Sequence, residues 1–434
     1  VNILFTGTAF YPSIGGAQVH WYVIAKYLAD RGHDVAMLSV WQDNRSQWLL
    51  GTTLFAPRST RQSMSGGLLL GTASPTFFDR VAMLPFLPFF FAAPEAAVPP
   101  IARRLMKAFL RALAGRTVDV VHSIRIGREH LDWASFFLAK ELGVPFFITP
   151  NISPRMLAKG GKWVMRHFFD LLRHADGVFA FTQHEYEVLV ELGVAPNRIA
   201  RLGLGPVLGE MAGADLFRSR YGVKGHVVLF LGQKLPYKGF TSLLEAAPIV
   251  WRRKTDVTFV FMGPHYGRSR RIIRRAARDP RIIDIEAVPP FGELKASALA
   301  ACDVLCVPSM QEGLGGVYLE AWVMGKPVIA CDIPAIRDVV VDGEDGFLVR
   351  QEAREIAERI IWILEHPDVA AAMGRRGQEK VAEKYSWRRA VDTVEQRYRA
   401  ALTAGRLTCA APTHGAHGPW EGSERACRWR VNDR

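Results

Sequence analysis

The strongest constraint on the fold is an alternation of short apolar runs with stretches of helical spacing, repeated along most of the chain. Asn2-Ile-Leu-Phe-Thr6 reads as a buried strand, and a loop from Gly7 to Gly16 follows. Gln18 to Asp30 then has helical spacing in Val19, Tyr22, Val23, Lys26 and Tyr27, Gly32 stops it, and Asp34 to Ser39 is the next strand. A strand–loop–helix–strand unit of about forty residues joins parallel strands, and such sheets carry helices on their faces.

The unit recurs. Strands are expected at 118–122, 145–149 and 177–182, with a short edge strand after Pro196. The helices between them are 131–142, 163–174 and 184–192. The Gly- and Pro-rich stretch Gly203–Gly213 marks a boundary. Beyond it, strands at 227–232, 257–263, 282–285, 304–307 and 327–330 alternate with helices at 240–252, 269–278, 294–301 and 317–324. Helices at 352–365, 369–384 and 387–402 close the pattern. The reading is an α/β protein with two Rossmann-like doubly wound parallel sheets facing across a cleft. The domains are 1–205, completed by helix 387–402, and 206–386. Residues 45–101 are read as an insertion on one rim, and 403–434, without apolar period, as a disordered tail.

Composition narrows the function. The 434 residues are 49% hydrophobic and 22% charged, which excludes a wholly disordered or fibrous chain. A net charge of +13 suits a polyanionic partner: nucleic acid, an anionic membrane or a phosphorylated small molecule. The five cysteines form no CxxC pair, and no metal-site spacing is present. A reducing, cytosolic setting fits, and the chain starts on a strand without the marks of a secretory signal. The longest apolar run, Val81 to Ala93, is too short for a membrane span and carries Pro85 and Pro88.

Two nucleotide fingerprints fail. The first turn lacks G-x-G-x-x-G spacing, with Ser39 rather than an acid ending the second strand, and Gly325-Lys326 is followed by Pro327 rather than Ser or Thr. A different segment carries the chemistry. Pro308-Ser-Met-Gln-Glu312-Gly-Leu-Gly-Gly-Val-Tyr-Leu-Glu320 leaves the carboxyl end of a strand. Gly313, Gly315 and Gly316 permit close backbone approach, and a helix starting near Gly316 points its N-terminal amides into the cleft. Glu312 and Glu320 flank that anion cradle, and the work of carboxylates there is to accept hydrogen bonds from sugar hydroxyls. Gly232-Gln-Lys234-Leu-Pro-Tyr-Lys238-Gly239 opens into the same cleft with two cations for a diphosphate.

These segments, with Gly325-Lys-Pro-Val-Ile-Ala and Asp119-Val-Val-His122, resemble the retaining nucleotide-sugar glycosyltransferases of family 4 (glycosyltransferase group 1), which have the GT-B fold. The resemblance spans about Asn2 to Leu402. It implies a metal-independent hexosyltransferase whose co-substrate is a UDP- or GDP-sugar, with no other cofactor. The acceptor would be a glycan, a lipid-linked sugar or a small molecule, as in cell-envelope polysaccharide synthesis. Glu312 would face the donor sugar, Glu320 would hold the ribose hydroxyls, Lys238 would bind the diphosphate, and Gly15 and Gly16 would approach it from the other domain. Gly313, Leu314, Gly315, Gly316 and Val317 would supply the backbone lining. The sequence departs from the family at Gln233, where an arginine is usual and Lys234 is expected to substitute; at Ile124, where a second histidine is usual; and at Asn151, where a histidine often stands. His122 is a catalytic candidate or a core histidine.

Other classes stay open or fall. A sugar-nucleotide epimerase shares the architecture but needs acid/base carboxylates from both domains. A catalytically degenerate sugar-binding subunit fits the missing histidine. Nucleic-acid binding lacks an aromatic-and-basic recognition motif. Phe86 to Phe91, with Trp48, Leu49 and Leu50, reads as an apolar lid or as a peripheral contact with the anionic inner membrane face, the latter together with the arginine-rich helix 268–278.

Overall fold

A computed structural model describes residues 1–12, 15–41, 48–63, 67–125, 128–152, 166–286 and 288–410. The chain forms two sheets. The first holds β1 (Asn2–Gly7), β2 (Asp34–Ser39), β3 (Thr60–Ser63), β4 (Leu68–Thr72), β5 (Val120–Ile124), β6 (Phe146–Thr149), β7 (Gly177–Ala180) and β8 (Ile199–Arg201), in the order β3-β4-β2-β1-β5-β6-β7-β8. Every pair in it is parallel except β3–β4. The second holds β9 (His226–Leu231), β10 (Val257–Met262), β11 (Ile282–Ile285), β12 (Val304–Val307), β13 (Val328–Cys331) and β14 (Gly346–Val349). It is wholly parallel, in the order β11-β10-β9-β12-β13-β14. Helices cover both faces of each sheet, so successive residues of a central strand are all buried. Val227 to Phe230 are each fully enclosed, which is why these strands read as unbroken apolar runs.

The order places the cleft. Each sheet reverses its winding beside its first strand, between β1 and β5 and between β9 and β12. Loops leaving adjacent strands diverge there and open a crevice at the carboxyl ends. Both segments singled out in the second domain leave this point, one after β9 and one after β12.

The structure corrects two expectations. Part of the segment expected as an insertion at 45–101 is integral to the sheet. β4 pairs with β2 from Val35–Leu68 to Ser39–Thr72, and β3 returns antiparallel along it. The helix Pro94–Leu113 buries Val98, Ile101, Leu105 and Phe109 against the first sheet. Its prolines, Pro94, Pro99 and Pro100, all lie in its first two turns, where fewer amides have an intrahelical partner to lose. The last helix runs Trp387–Ala410 rather than ending at 402, and the rest of the expected tail lies outside the described residues.

The chain crosses between the domains twice, and the two crossings touch. A Cβ on Gly203 would lie 2.5 Å from the Lys384 carbonyl oxygen, and one on Gly205 would lie 2.5 Å from the Trp387 ring. The glycines therefore let outgoing and returning segments pack together. The returning helix is held on the first domain by Arg31 with Asp392 and Glu395, and by Arg397 on the carbonyls of Asn197 and Ile199.

Candidate active site

The loop after β9 ends in a single tight turn, Pro236–Lys238, capped by Gly239 at φ +85°. A side chain at 239 would also strike Pro308, with a Cβ 2.6 Å from its carbonyl oxygen. The two cleft loops are thus in backbone contact, and Met310 N–H donates to the Tyr237 carbonyl at 2.8 Å. Gln351 ties both from behind through the carbonyls of Tyr237 and Pro308. On this base Lys238 Nζ meets Glu312 Oε1 at 2.7 Å.

The helix Gly316–Val323 starts at Gly315, which sits at φ +70° and would drive a Cβ to 2.5 Å from the Tyr318 ring. Glycine is required there and brings no capping side chain, so the first amides of this helix keep their positive dipole end for a ligand. Gly313, Leu314, Gly315, Gly316 and Val317 form the rim at this helix start. One turn in, Glu320 is buried. Its Oε1 pairs with Lys295 Nζ at 2.8 Å, while Oε2 is enclosed and, apart from the nearby Val207 backbone amide, makes no well-formed hydrogen bond among the described residues. Burial raises the Glu320 pKa, and the Lys295 charge opposes that rise. Lys295 also donates to the Val207 and Pro290 carbonyls. The sequence reading missed Lys295; its only signal was a cation on the strand-facing side of helix Glu293–Ala301.

The first domain reaches the same place. Gly15 and Gly16 open the helix Gly16–Asp30, again without a side-chain cap. From its second turn His20 crosses to the other domain: its Nε2 lies 3.0 Å from where a Cβ on Gly316 would stand. Burial, with the Lys295 charge adding, lowers the His20 pKa to about 4. His20 was not among the expected residues, although it stands four residues beyond Gly16 and so one helical turn above it. Phe181 approaches Gly313 nearby, and His184 N–H donates to Asp338 across the cleft at 2.6 Å.

Two expected site residues lie elsewhere. Lys234 does not face the diphosphate region: its side chain is fully buried and bonded to Asp284 Oδ1 at 2.6 Å and the Ile285 carbonyl at 2.9 Å, with His265 beside it. A lysine leaving the strand edge inward finds β11 rather than the cleft. His122 is likewise a core histidine, with Nδ1 on Tyr398 Oη at 2.5 Å and Nε2 on Thr149 Oγ1 at 2.9 Å. Phe5, Trp21 and Phe179 surround it, and burial drives its pKa well down. Both nitrogens are engaged, so it has no free one to offer a substrate.

The departures at Ile124 and Asn151 converge beyond β5. Ile124 is buried, and Asn151, at φ +49°, donates to the Arg125 carbonyl at 3.0 Å. Arg125 is buried over the Phe168 ring, 3.9 Å from Asp132. Asp132 accepts from Ser123, and burial raises its pKa to about 7. Among the described residues no group of three or more His, Cys, Asp or Glu is placed to hold a metal ion.

Residues 225–366 match the family described as glycosyl transferases group 1, and residues 15–205 match one described as a glycosyl transferase 4-like domain. A D-inositol 3-phosphate glycosyltransferase of Segniliparus rotundus is 32% identical over 259 residues, so the match spans 57% of this chain and 57% of that relative. Among solved structures, Anabaena HepE in complex with UDP and glucose superposes over 92% of this chain and 99% of its own, with a TM-score of 0.68 at 17% identity. Sucrose-phosphate synthase from Thermosynechococcus elongatus covers 93% and 100%, with a TM-score of 0.71 at 18% identity.

Proposed function

The chain belongs to the group 1 glycosyl transferases and has the GT-B fold, and from that premise we propose that it transfers a hexose from a UDP- or GDP-sugar to a glycan, lipid-linked or small-molecule acceptor, with retention at the anomeric carbon. The observation that carries the reading is Glu320. A buried carboxylate with one oxygen neutralised by Lys295 and the other, beside the Val207 backbone amide, without a well-formed hydrogen bond among the described residues is built to accept hydroxyl donors, and it sits one turn behind an uncapped helix N-terminus. Ribose hydroxyls and the adjoining diphosphate match that spacing of acceptor and donor.

In this reading the diphosphate lies on the amides at Gly316 and Val317, with Gly15 and Gly16 closing from the other domain. Lys238 turns from Glu312 to the phosphates and absorbs charge as the nucleoside diphosphate leaves, which is the step where preorganised cations and dipoles contribute most. These protein charges stand where a metal ion would otherwise serve, so the reaction is proposed to be metal-independent. Glu312 then faces the sugar. With no second carboxylate among the described residues set as a covalent nucleophile, the acceptor attacks from the face the phosphate leaves, and the leaving phosphate takes the acceptor proton. Domain closure excludes water.

The test is thermal stabilisation by a panel of nucleoside diphosphates and nucleotide sugars, followed by the anomeric configuration of the product. A ligand held at one hundred times its Kd adds about 2.7 kcal/mol. Stabilisation by one diphosphate, lost in Glu320→Gln, supports the donor site and identifies the base. No response to any nucleotide at millimolar levels would sink the proposal, and binding without turnover would favour the degenerate sugar-binding subunit.

A further inference from the structure

The first domain carries an apolar surface that the site does not use. Helix Phe77–Met83 runs into the tighter 3-10 segment Leu84–Phe89. Between them and the turn that follows, Phe77, Phe78, Val81, Leu84, Phe89 and Phe91 are exposed, the first two by 73% and 80%. These rings are not loosely hung. Met83 and Phe90 of the same segment are fully buried in the first domain's core, and Asp79 is tied to Thr76 in a reciprocal cap and to Arg111 at 2.6 Å. The fold anchors alternate residues and holds the others outward.

The helix beneath this segment is basic. Pro94–Leu113 packs directly against both parts of it. From Thr76 to Arg116 the chain has six Lys and Arg (Arg80, Arg103, Arg104, Lys107, Arg111, Arg116) against Asp79 and Glu95. Asp79 is buried, Arg103 and Lys107 are exposed, and Arg128 lies 4.9 Å from the Phe91 ring. The sequence reading had paired the aromatic run with the arginine helix at 268–278. That helix belongs to the second domain, and the cations in packing contact with the run are those of Pro94–Leu113.

We propose that the surface formed by residues 77–91 and the basic helix Pro94–Leu113 docks the protein on an anionic lipid bilayer, with Phe77 and Phe78 entering the interface and Arg103 and Lys107 facing the headgroups. Rigidly presented aromatic rings flanked by cations are what an interfacial site requires: the rings gain by leaving water and the cations by the negative surface potential. The same patch on a second copy of this chain would bring like charges together, so a bilayer is the better complement. The proposal stands apart from the donor site and does not depend on it.

Vesicle co-sedimentation of the full chain tests it, with phosphatidylcholine alone and with phosphatidylcholine–phosphatidylglycerol mixtures. Binding is expected to be at least about tenfold tighter on the anionic vesicles and to weaken as salt is raised. Phe77→Ser with Phe78→Ser should lose binding to both vesicle types. Arg103→Gln with Lys107→Gln should lose the anionic increment. All four positions are exposed, so the variants fold, and an unchanged nucleotide-induced thermal shift checks that the donor site is intact. Equal binding to neutral and anionic vesicles, binding that survives the phenylalanine substitutions, or no vesicle binding together with a dimer abolished by those substitutions would each overturn the proposal.

Discussion

Lys238 Nζ stands 2.7 Å from Glu312 Oε1, so the cation expected at the diphosphate and the carboxylate expected at the sugar hold each other across the two cleft loops. The pair makes their contributions separable. Lys238→Ala removes the phosphate partner and should weaken nucleoside diphosphate binding by about tenfold or more, the worth of a charge-assisted hydrogen bond. Glu312→Gln releases Lys238 from its partner, so the diphosphate should bind as tightly as before or tighter while turnover falls. Calorimetric titration of both variants, beside kcat, checks this. A Glu312→Gln protein that binds diphosphate more weakly would refute the assignment.

Lys234 gives the contrasting case. Its ammonium is enclosed by Asp284, His265 and the Ile285 carbonyl, and its desolvation lowers its pKa against the Asp284 charge. Lys234→Met should cost about 1–3 kcal/mol by stripping the Asp284 side of its partner. Nucleotide affinity should stay within about threefold of wild type, a difference below about 1 kcal/mol, because the side-chain partners of Lys234 are Asp284, His265 and the Ile285 carbonyl rather than Lys238 or the Gly316 helix. Denaturant titration and nucleotide binding on the same preparation separate the two outcomes. Loss of affinity with stability kept would restore Lys234 to the donor site.

Lys295 and Glu320 form a buried pair, and breaking one side of such a pair commonly costs about 3–5 kcal/mol. Lys295→Met should therefore be strongly destabilised, with an uncompensated carboxylate in the interior. Adding Glu320→Leu should restore much of that stability, since an apolar pair of similar volume removes the stranded charge. Nucleotide binding should not return with it. Thermal melts with and without nucleoside diphosphate read both quantities; a double variant that is stable and nucleotide-responsive would show that Glu320 is structural only.

Tyr398 and His122 are joined through the helix that returns to the first domain. Tyr398→Phe leaves His122 Nδ1 buried without its partner and should cost about 1–3 kcal/mol. If His122 is a core residue, kcat of that variant at pH 7 should stay within about threefold of wild type, an effect below 1 kcal/mol on the barrier. A larger loss of kcat with stability unchanged would return His122 to the chemistry.

How much was legible depended on which force placed each residue. Parallel strands buried on both faces and helices with one apolar side announce themselves in sequence, so β9 to β13 and the loops after β9 and β12 could be read directly. The rim from Gly313 to Val317 was legible because glycine marks backbone geometry, as the φ of Gly315 and the Tyr318 ring beside it show. The helix Pro94–Leu113 was hidden because its first part was read, with the Phe- and Pro-rich run 86–91, as one break in the alternation, whereas burial against the first domain's core is what forms it. Lys234 was misplaced, and His122 stayed open between site and core, because residue type gives a side chain's chemistry but not its direction. One extra bond inward at the end of β9, or a tyrosine from a helix 276 positions later, turns a candidate for the site into part of the core. Lys295 and His20 were missed for the converse reason: single residues on helices acquire their meaning only in tertiary packing, Lys295 against Glu320 within the second domain and His20 where the two domains meet.

His20 supplies a pH prediction. Its pKa falls from 6.5 to about 4 in the folded protein, because desolvation of the half-buried ring against the second domain and the nearby Lys295 charge both disfavour the imidazolium. Between those values the unfolded chain binds more protons than the folded one, so this group's contribution is fully present above pH 6.5 and is lost as pH falls toward 4. The slope approaches about 1.4 kcal/mol per pH unit at most. Asp132 and Glu185, both raised to about 7 by burial, act in the opposite sense over part of the same window, so the total profile of the wild type does not isolate His20. The difference between wild type and His20→Gln does, because the other groups are common to both. Unfolding free energies measured from pH 7.5 to 4.5 should show the wild type losing ground to His20→Gln progressively below pH 6.5. A difference that is flat with pH would mean that His20 meets water rather than the Gly316 helix, and that the cross-cleft contact does not persist in solution.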